Sequence, residues 1–143
     1  MGSADGRVIA LDVGSKRIGV ASAGLVARIP QPLTTLLVDD GDPAGQILKV
    51  LTDEKAVDLV VGLPRGLDGQ ETDQTRAVQA FIAELEPKLS IPLHWQDEAL
   101  TSHISEEELG KRKGGYQKAD VDALAACYIL DDFLKEYDGA AKA

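Results

Sequence analysis

The chain has 143 residues, of which 15 are Lys or Arg and 24 are Asp or Glu, so its formal net charge is −9. This length is sufficient for one domain with its own core, and a 44% hydrophobic share with 27% charged residues argues against disorder. A single cysteine excludes a disulfide framework, no apolar run approaches the roughly 20 residues of a membrane span, and the acidic surplus taken globally disfavours a nucleic-acid partner.

The first half of the chain predicts four strands and one helix. An apolar run at 8–13, interrupted only by Asp12, is typical of a strand buried on both faces. A turn at 14–16 then leads into an antiparallel second strand at 18–22, and a weaker third strand follows at 33–38. Asp42 before Pro43 marks a helix start, and a buried strand at 57–63 is expected to stop at Pro64.

The second half predicts helices that alternate with one more strand. A polar loop at 65–72 precedes a helix whose buried face carries Val78, Ile82 and Leu85. A fifth strand ends at 97–98, a short helix covers 102–109, and a last helix contains residues 121–128. Three strands joined directly and two reached through crossovers predict one α/β domain with a five-stranded mixed sheet and helices on both faces. We expect this domain to span 7–137, with 1–6 and 138–143 as flexible termini.

Five acidic residues lie where a functional site is expected. Burial of Asp12 in a strand costs hydration unless the carboxylate is paired or binds a metal, although an Asp that caps the following turn is the simpler explanation. Asp97 and Glu98 end a strand and point to opposite faces, so only one can face Asp12, and periodicity does not say which. Asp120 and Asp122 open the last helix, where an N-cap and a first-turn acid are also favoured.

One acid from each of these three places would form a set of three carboxylates. Oxygen-only ligands suit Mg²⁺ or Mn²⁺, and two such ions roughly 3.5–4 Å apart can act on a phosphodiester. Basic side chains at the hairpin tip and in the loop at 111–118 are the candidates for binding substrate phosphates, although a solvated surface loop explains the second group equally well. These candidates are Lys16, Arg17, Lys111, Arg112, Lys113 and Lys118.

Four sequence segments together closely resemble one known family. They are IALDVGSKRIGVA at 9–21, VVGLP at 60–64 with Asp68-Gly69, DEALTS at 97–102 and KADVDALAA at 118–126. In this order and spacing they resemble the YqgF/RuvX family of Holliday junction resolvases. The resemblance extends from Arg7 to about Leu134, nearly the whole chain, and implies a ribonuclease H-like fold.

The resemblance implies a metal-dependent endonuclease with Asp12, Glu98 and Asp122 as catalytic acids that hold two Mg²⁺ or Mn²⁺ ions. It favours resolution of a four-way DNA junction that leaves 5′-phosphate ends, with maturation of the 5′ end of pre-16S rRNA as the alternative. It also implies a cytoplasmic protein that does not contact a membrane. Two positions depart from the family pattern: Ala99 stands where Arg is common after the Glu, and Gly66 where Asn is common.

Other assignments predict different partners for the chain. A four-way junction is two-fold symmetric, which favours a homodimer on DNA, whereas RNA trimming requires no such symmetry. An ATP-binding domain of the actin and sugar-kinase type shares the Asp-x-Gly hairpin but needs two domains around the nucleotide. A catalytically silent nucleic-acid-binding module would have no use for three acids near phosphate. Bound cations would reverse the local sign of these acids, so the net charge of −9 does not exclude a nucleic-acid partner.

Overall fold

The structure is a computed structural model that describes residues 6–39, 41–66, 69–99 and 118–136. Its strands are β1 (Arg7–Val13), β2 (Arg17–Gly24), β3 (Gln31–Leu37), β4 (Ala56–Arg65) and β5 (Leu93–Ala99). Its helices are α1 (Pro43–Asp53), α2 (Asp73–Leu85) with a 3₁₀ turn at Glu86–Lys88, and α3 (Lys118–Glu136). Among these residues, no helix is long and apolar enough to cross a membrane.

All five strands form one mixed sheet in the order β3-β2-β1-β4-β5. The first three strands pair antiparallel through short connections at 14–16 and 25–30, and the Gly14 N–H donates to the Arg17 carbonyl at 2.9 Å across the first turn. Strand β4 pairs parallel to β1, and β5 pairs parallel to β4, since helical connections precede both strands. This confirms the predicted five-stranded mixed sheet and the hairpin that begins it.

Helices cover both faces of the sheet, as predicted. On one face, α1 and α2 bury Ile47, Val78 and Ile82 against the sheet in a core that includes Leu11 and Val61. On the other face, α3 packs a second core, which includes Val8, Ala10, Ala21, Val60, Ala126, Ile129, Leu130 and Phe133. Alternate residues of β1 serve the two cores, which is why this strand reads as a continuous apolar run.

The predicted end of β4 at Pro64 is wrong, because the strand continues through the proline to Arg65. Pairing of β4 with β1 ends at Val61, so no donor toward β1 is missing at position 64. The Pro64 carbonyl accepts a hydrogen bond from the Thr75 hydroxyl, which ties the end of β4 to α2.

The predicted helix start at Pro43 is confirmed. Asp42 is the N-cap of α1 with Pro43 as the first helical residue, and Thr72 forms a capping box with Thr75. The last helix is longer than its apolar pattern predicts and begins at Lys118. The short helix predicted at 102–109 and the expected flexible termini lie outside the described residues, except Gly6.

Two glycines allow α3 to lie close to the sheet. A Cβ atom at Gly19 in β2 would lie 1.9 Å from the backbone carbonyl oxygen of Asp122, and one at Gly62 in β4 would lie 2.4 Å from Cδ1 of Ile129. Real Cβ atoms essentially never approach other heavy atoms this closely. The helix therefore rests directly on the β2 backbone at its first turns, and this contact positions Asp122.

Gly19→Ala tests this contact. We expect the substitution to lower the free energy of unfolding by about 3 kcal/mol, because a clash with backbone cannot be relieved by a rotamer change. Urea unfolding followed by circular dichroism measures the effect. Gly45→Ala is the matched control, since its new methyl group meets only the flexible Asp42 carboxylate and alanine favours the helix. A Gly19→Ala variant within about 0.5 kcal/mol of wild type would contradict the proposed close contact.

Candidate functional site

Asp12 lies near the carboxyl end of β1 on the face of the sheet that α3 covers. It follows the α3-facing residue Ala10 by two positions, and its neighbour across the hairpin is Gly19. Burial and, to a smaller extent, the nearby Asp122 charge together raise the pKa of the Asp12 carboxyl from 3.8 to about 6. A carboxylate whose charge is disfavoured in this way can be stabilised by a cation.

Glu98 lies near the carboxyl end of β5, on the same face of the sheet. His94, four residues earlier, packs against Phe133 of α3 with 5.1 Å between ring centroids. Because side chains alternate along a strand, Glu98 lies on the same side of β5 as His94. Its side chain is buried, with only 7% of the residue exposed. Burial, the largest cause, acts together with a hydrogen bond to Asp132 and the charges of Asp132, Asp12 and Asp97 to raise its pKa from 4.5 to about 8.

Asp97 points away from these acids. Its Oδ1 atom lies 3.4 Å from Nε of Arg65, and its side chain is largely exposed on the opposite side of β5. Of the two neighbouring acids at the end of this strand, Glu98 is therefore the one on the Asp12 side, as the family resemblance implied. Strand alternation alone could not make this choice, because it leaves the direction of the first side chain open.

Asp122 lies in the first turns of α3, where Nε of Arg17 donates a hydrogen bond to its Oδ2 atom at 2.6 Å. The carboxylate is half-buried, and its charge acts on Asp12. The structure thus brings together Asp12 with Asp122 and Asp12 with Glu98. Within the described ranges, however, no three His, Cys, Asp or Glu side chains are close enough to hold one metal ion.

The predicted phosphate-binding residues differ in their exposure and in whether the structure describes their side chains. Lys16 is exposed at the hairpin turn, whereas Arg17 is half-buried and its guanidinium is engaged by Asp122. Lys118 begins α3, but its side chain lies outside the described residues, as does the whole basic loop at 111–113. Asp120 is the third residue of α3 and not an N-cap, because the helix begins at Lys118.

Asp132 is an acid of this site that the sequence motifs did not identify. It is ten residues beyond Asp122 on the same helix, and its side chain is hydrogen-bonded to Glu98. The sequence spacing does indicate Asp132. It lies seven positions after Ala125 and three positions after Ile129, and both of these residues are buried. An acid at that spacing lies on the buried side of the helix, where it requires a partner.

The donor chemistry of this site fits a divalent cation of the Mg²⁺ or Mn²⁺ type. Its acids are all carboxylates, the oxygen ligands that these ions prefer. Two of them, Asp12 and Glu98, have raised pKa values because they are buried near other acids. Excess negative charge in a sparsely solvated place is the condition under which a bound cation is most favourable.

The five-stranded mixed sheet with helices on both faces is an α/β fold like that of RuvC. A solved structure, "T. thermophilus RuvC in complex with Holliday junction substrate", matches 92% of this chain and 96% of that chain with a TM-score of 0.54. The sequence identity is 13%, so this similarity concerns the fold alone.

A family model described as "RuvX: Holliday junction resolvase" matches residues 6–136. A Roseiflexus sp. (strain RS-1) protein named "Putative pre-16S rRNA nuclease" is 40% identical over 137 residues, 94% of this chain and 97% of that protein. An Actinobacillus succinogenes protein of the same name is 37% identical, over 91% of this chain and 95% of its own length. The chain belongs to the RuvX family of nucleases.

Folding stability without metal is expected to depend on pH through these acids. Because the folded pKa of Asp12 is raised from 3.8 to about 6, the folded state binds more protons than the unfolded state between these values. Stability therefore falls as pH rises through this window, and Glu98 extends the fall to about pH 8.

Asp12→Asn removes the contribution of Asp12 to this pH dependence of folding stability. With EDTA present, we expect this variant to be about 1–3 kcal/mol more stable than wild type at pH 8 and close to wild type at pH 4. Urea unfolding at both pH values measures the difference, and Asp39→Asn, an exposed acid just beyond β3, is the matched control. A gain of equal size at both pH values, or no gain at pH 8, would contradict the raised pKa of Asp12.

Proposed function

We propose that this chain is a divalent-metal-dependent nuclease that hydrolyses phosphodiester bonds in precursor 16S rRNA and matures its 5′ end. One structural observation carries the nuclease chemistry: Asp12, Glu98 and Asp122 come from three elements to one face of the sheet, and two of them have raised pKa values. The RNA substrate is supported by the names of the relatives from Roseiflexus and Actinobacillus, which align with nearly the full length of this chain.

In this proposal Asp12, Glu98 and Asp122 bind Mg²⁺ or Mn²⁺, in a site for two ions. When bound, these cations supply Lewis-acid stabilisation of the charge that develops on the phosphate, with a 5′-phosphate left on the product. Asp132 holds the Glu98 side chain through their hydrogen bond and limits its rotation. Asp97 takes no part, because it lies on the other side of β5 and contacts Arg65.

Substrate phosphates would be held by basic residues around the acids. We assign this role to Lys16 at the exposed hairpin tip, to Lys111, Arg112 and Lys113, and to Lys118 at the start of α3. Since the chain carries a net charge of −9, its affinity for plain duplex should be low and should depend on divalent ions. The place of action proposed for this activity is the cytoplasm.

A four-way DNA junction is the second candidate substrate. The description of the family model and the similarity in fold to RuvC favour it. Cleavage of a two-fold symmetric junction requires two active sites in a fixed relation, so this function would need a homodimer on DNA. The relatives' names support the RNA substrate better, and that substrate makes no such demand on assembly.

Cleavage of a 5′-extended 16S rRNA precursor and of a synthetic four-way junction, assayed side by side in Mg²⁺ and Mn²⁺, tests the function. We expect cleavage of the precursor, abolished by EDTA, and little cleavage of the junction. Asp12→Asn, Glu98→Gln and Asp122→Asn should each lower the rate about 100-fold or more, since each removes a group that stabilises transition-state charge.

Asp53→Asn is the matched control for these three variants. It also removes one carboxylate, but from an exposed position in α1 where Asp53 pairs with Lys49, on the opposite face of the sheet. It should retain wild-type cleavage. Preferential cleavage of the junction would overturn the RNA assignment, and near-wild-type activity of Asp12→Asn on both substrates would overturn the proposed active site.

A further inference from the structure

Arg17 and Asp122 form a short ion pair within the candidate active site. The Nε atom of Arg17 lies 2.6 Å from Oδ2 of Asp122, although the two residues are 105 positions apart in the sequence. Both side chains are partly buried, with 34% of the arginine and 22% of the aspartate side chain exposed. A charge-assisted hydrogen bond of this length is among the stronger side-chain interactions in proteins.

The backbone around Arg17 predisposes it to this pairing. The Gly14 N–H donates to the Arg17 carbonyl and closes the hairpin turn, which fixes where β2 begins. Arg17 and Gly19 point to the same side of β2, and α3 contacts the strand at Gly19 through the Asp122 carbonyl. The arginine side chain therefore lies beside the first turns of α3, where the Asp122 carboxylate is within its reach.

The guanidinium of Arg17 places a positive charge beside the candidate metal-binding acids. Asp122 lies close enough to Asp12 to raise the pKa of Asp12, so the two carboxylates repel each other. Arg17 is the cation that contacts Asp122, and in the described part of the chain no three metal-binding side chains converge while this pair is formed. A metal ion that took both oxygens of the Asp122 carboxylate would have to displace the guanidinium from Oδ2.

We propose that Arg17 is an exchange residue: its guanidinium holds Asp122 in the metal-free protein, and a divalent cation displaces it so that it can bind a substrate phosphate. This inference rests on the proposed function, because it takes Asp122 as a metal ligand. The planar guanidinium suits both anions, since carboxylate and phosphate both accept two parallel hydrogen bonds from it. Metal binding and phosphate binding are thereby coupled through one side chain.

Mn²⁺ binding without substrate, followed by electron paramagnetic resonance of the free ion, tests the displacement. Because a cation no longer has to displace the guanidinium, Arg17→Gln should bind Mn²⁺ about five- to tenfold more tightly than wild type. Lys88→Gln removes one positive charge from an exposed position in the 3₁₀ turn after α2 and should change the affinity less than about twofold. This control separates direct contact from general electrostatic repulsion.

The outcomes separate this inference from the proposed function. Equal or weaker Mn²⁺ binding by Arg17→Gln, with binding by wild type intact, would overturn only the exchange. An equal gain in Lys88→Gln would also overturn it, because long-range charge would then explain the effect. Failure of wild type and Arg17→Gln alike to bind Mn²⁺ would overturn the proposed metal site and, with it, the exchange.

A spectroscopic measurement on the unmodified side chain provides an independent test. In a ¹⁵N-labelled full-length chain, the Arg17 Nε–H resonance should be protected from solvent exchange in EDTA, because it donates to Asp122. Saturation with Mg²⁺ should remove this protection. A resonance that keeps its protection and chemical shift in saturating Mg²⁺ would show that the pair is structural and would overturn the exchange.

Discussion

The contact between α3 and the backbone of β2 at Gly19 is the constraint on which the rest of the site depends. It brings Asp122, from the far end of the chain, to the hairpin that carries Asp12 and Arg17. Any side chain at position 19 would hold the helix away from the strand. The same helix continues across the sheet, packs over Gly62 with Ile129, and brings Asp132 to Glu98. One packing arrangement thus creates both groups of acids.

Electrostatics explains why the acids of the candidate site lower the stability of the metal-free fold. Asp12 and Glu98 are buried near other carboxylates, and both effects raise their pKa values above those of free side chains. Without a cation, such groups weaken the fold at neutral pH, as is common where an active site holds strained or unfavourable charges. The Arg17–Asp122 pair partly offsets this charge. The net charge of −9 is a property of the whole chain and does not describe the candidate site. At that site, the neighbouring carboxylates require positive charge close to them.

Much of the fold followed from local pattern. The apolar run of β1, the turn after it and the Asp42-Pro43 helix start are short-range signals, and the structure has a strand, a tight turn and a helix there. The predicted end of β4 was wrong, because a proline is excluded from a strand only where its missing N–H would be needed. Whether that N–H is needed depends on the pairing of β4 with β1, which ends at Val61 of β4. The residues around Pro64 therefore contained no information about it.

The amino-acid sequence by itself determined the order of strands and helices, the mixed sheet and, through its family motifs, which acids to consider. Hydrophobic periodicity and turn chemistry act over a few residues, so they can be read locally. Only the tertiary structure decided that Glu98 and not Asp97 faces Asp12, that Asp132 contacts Glu98, and that Arg17 pairs with Asp122. These relations join residues far apart in the chain, and they are set by the face on which each element packs and by how closely α3 approaches the sheet.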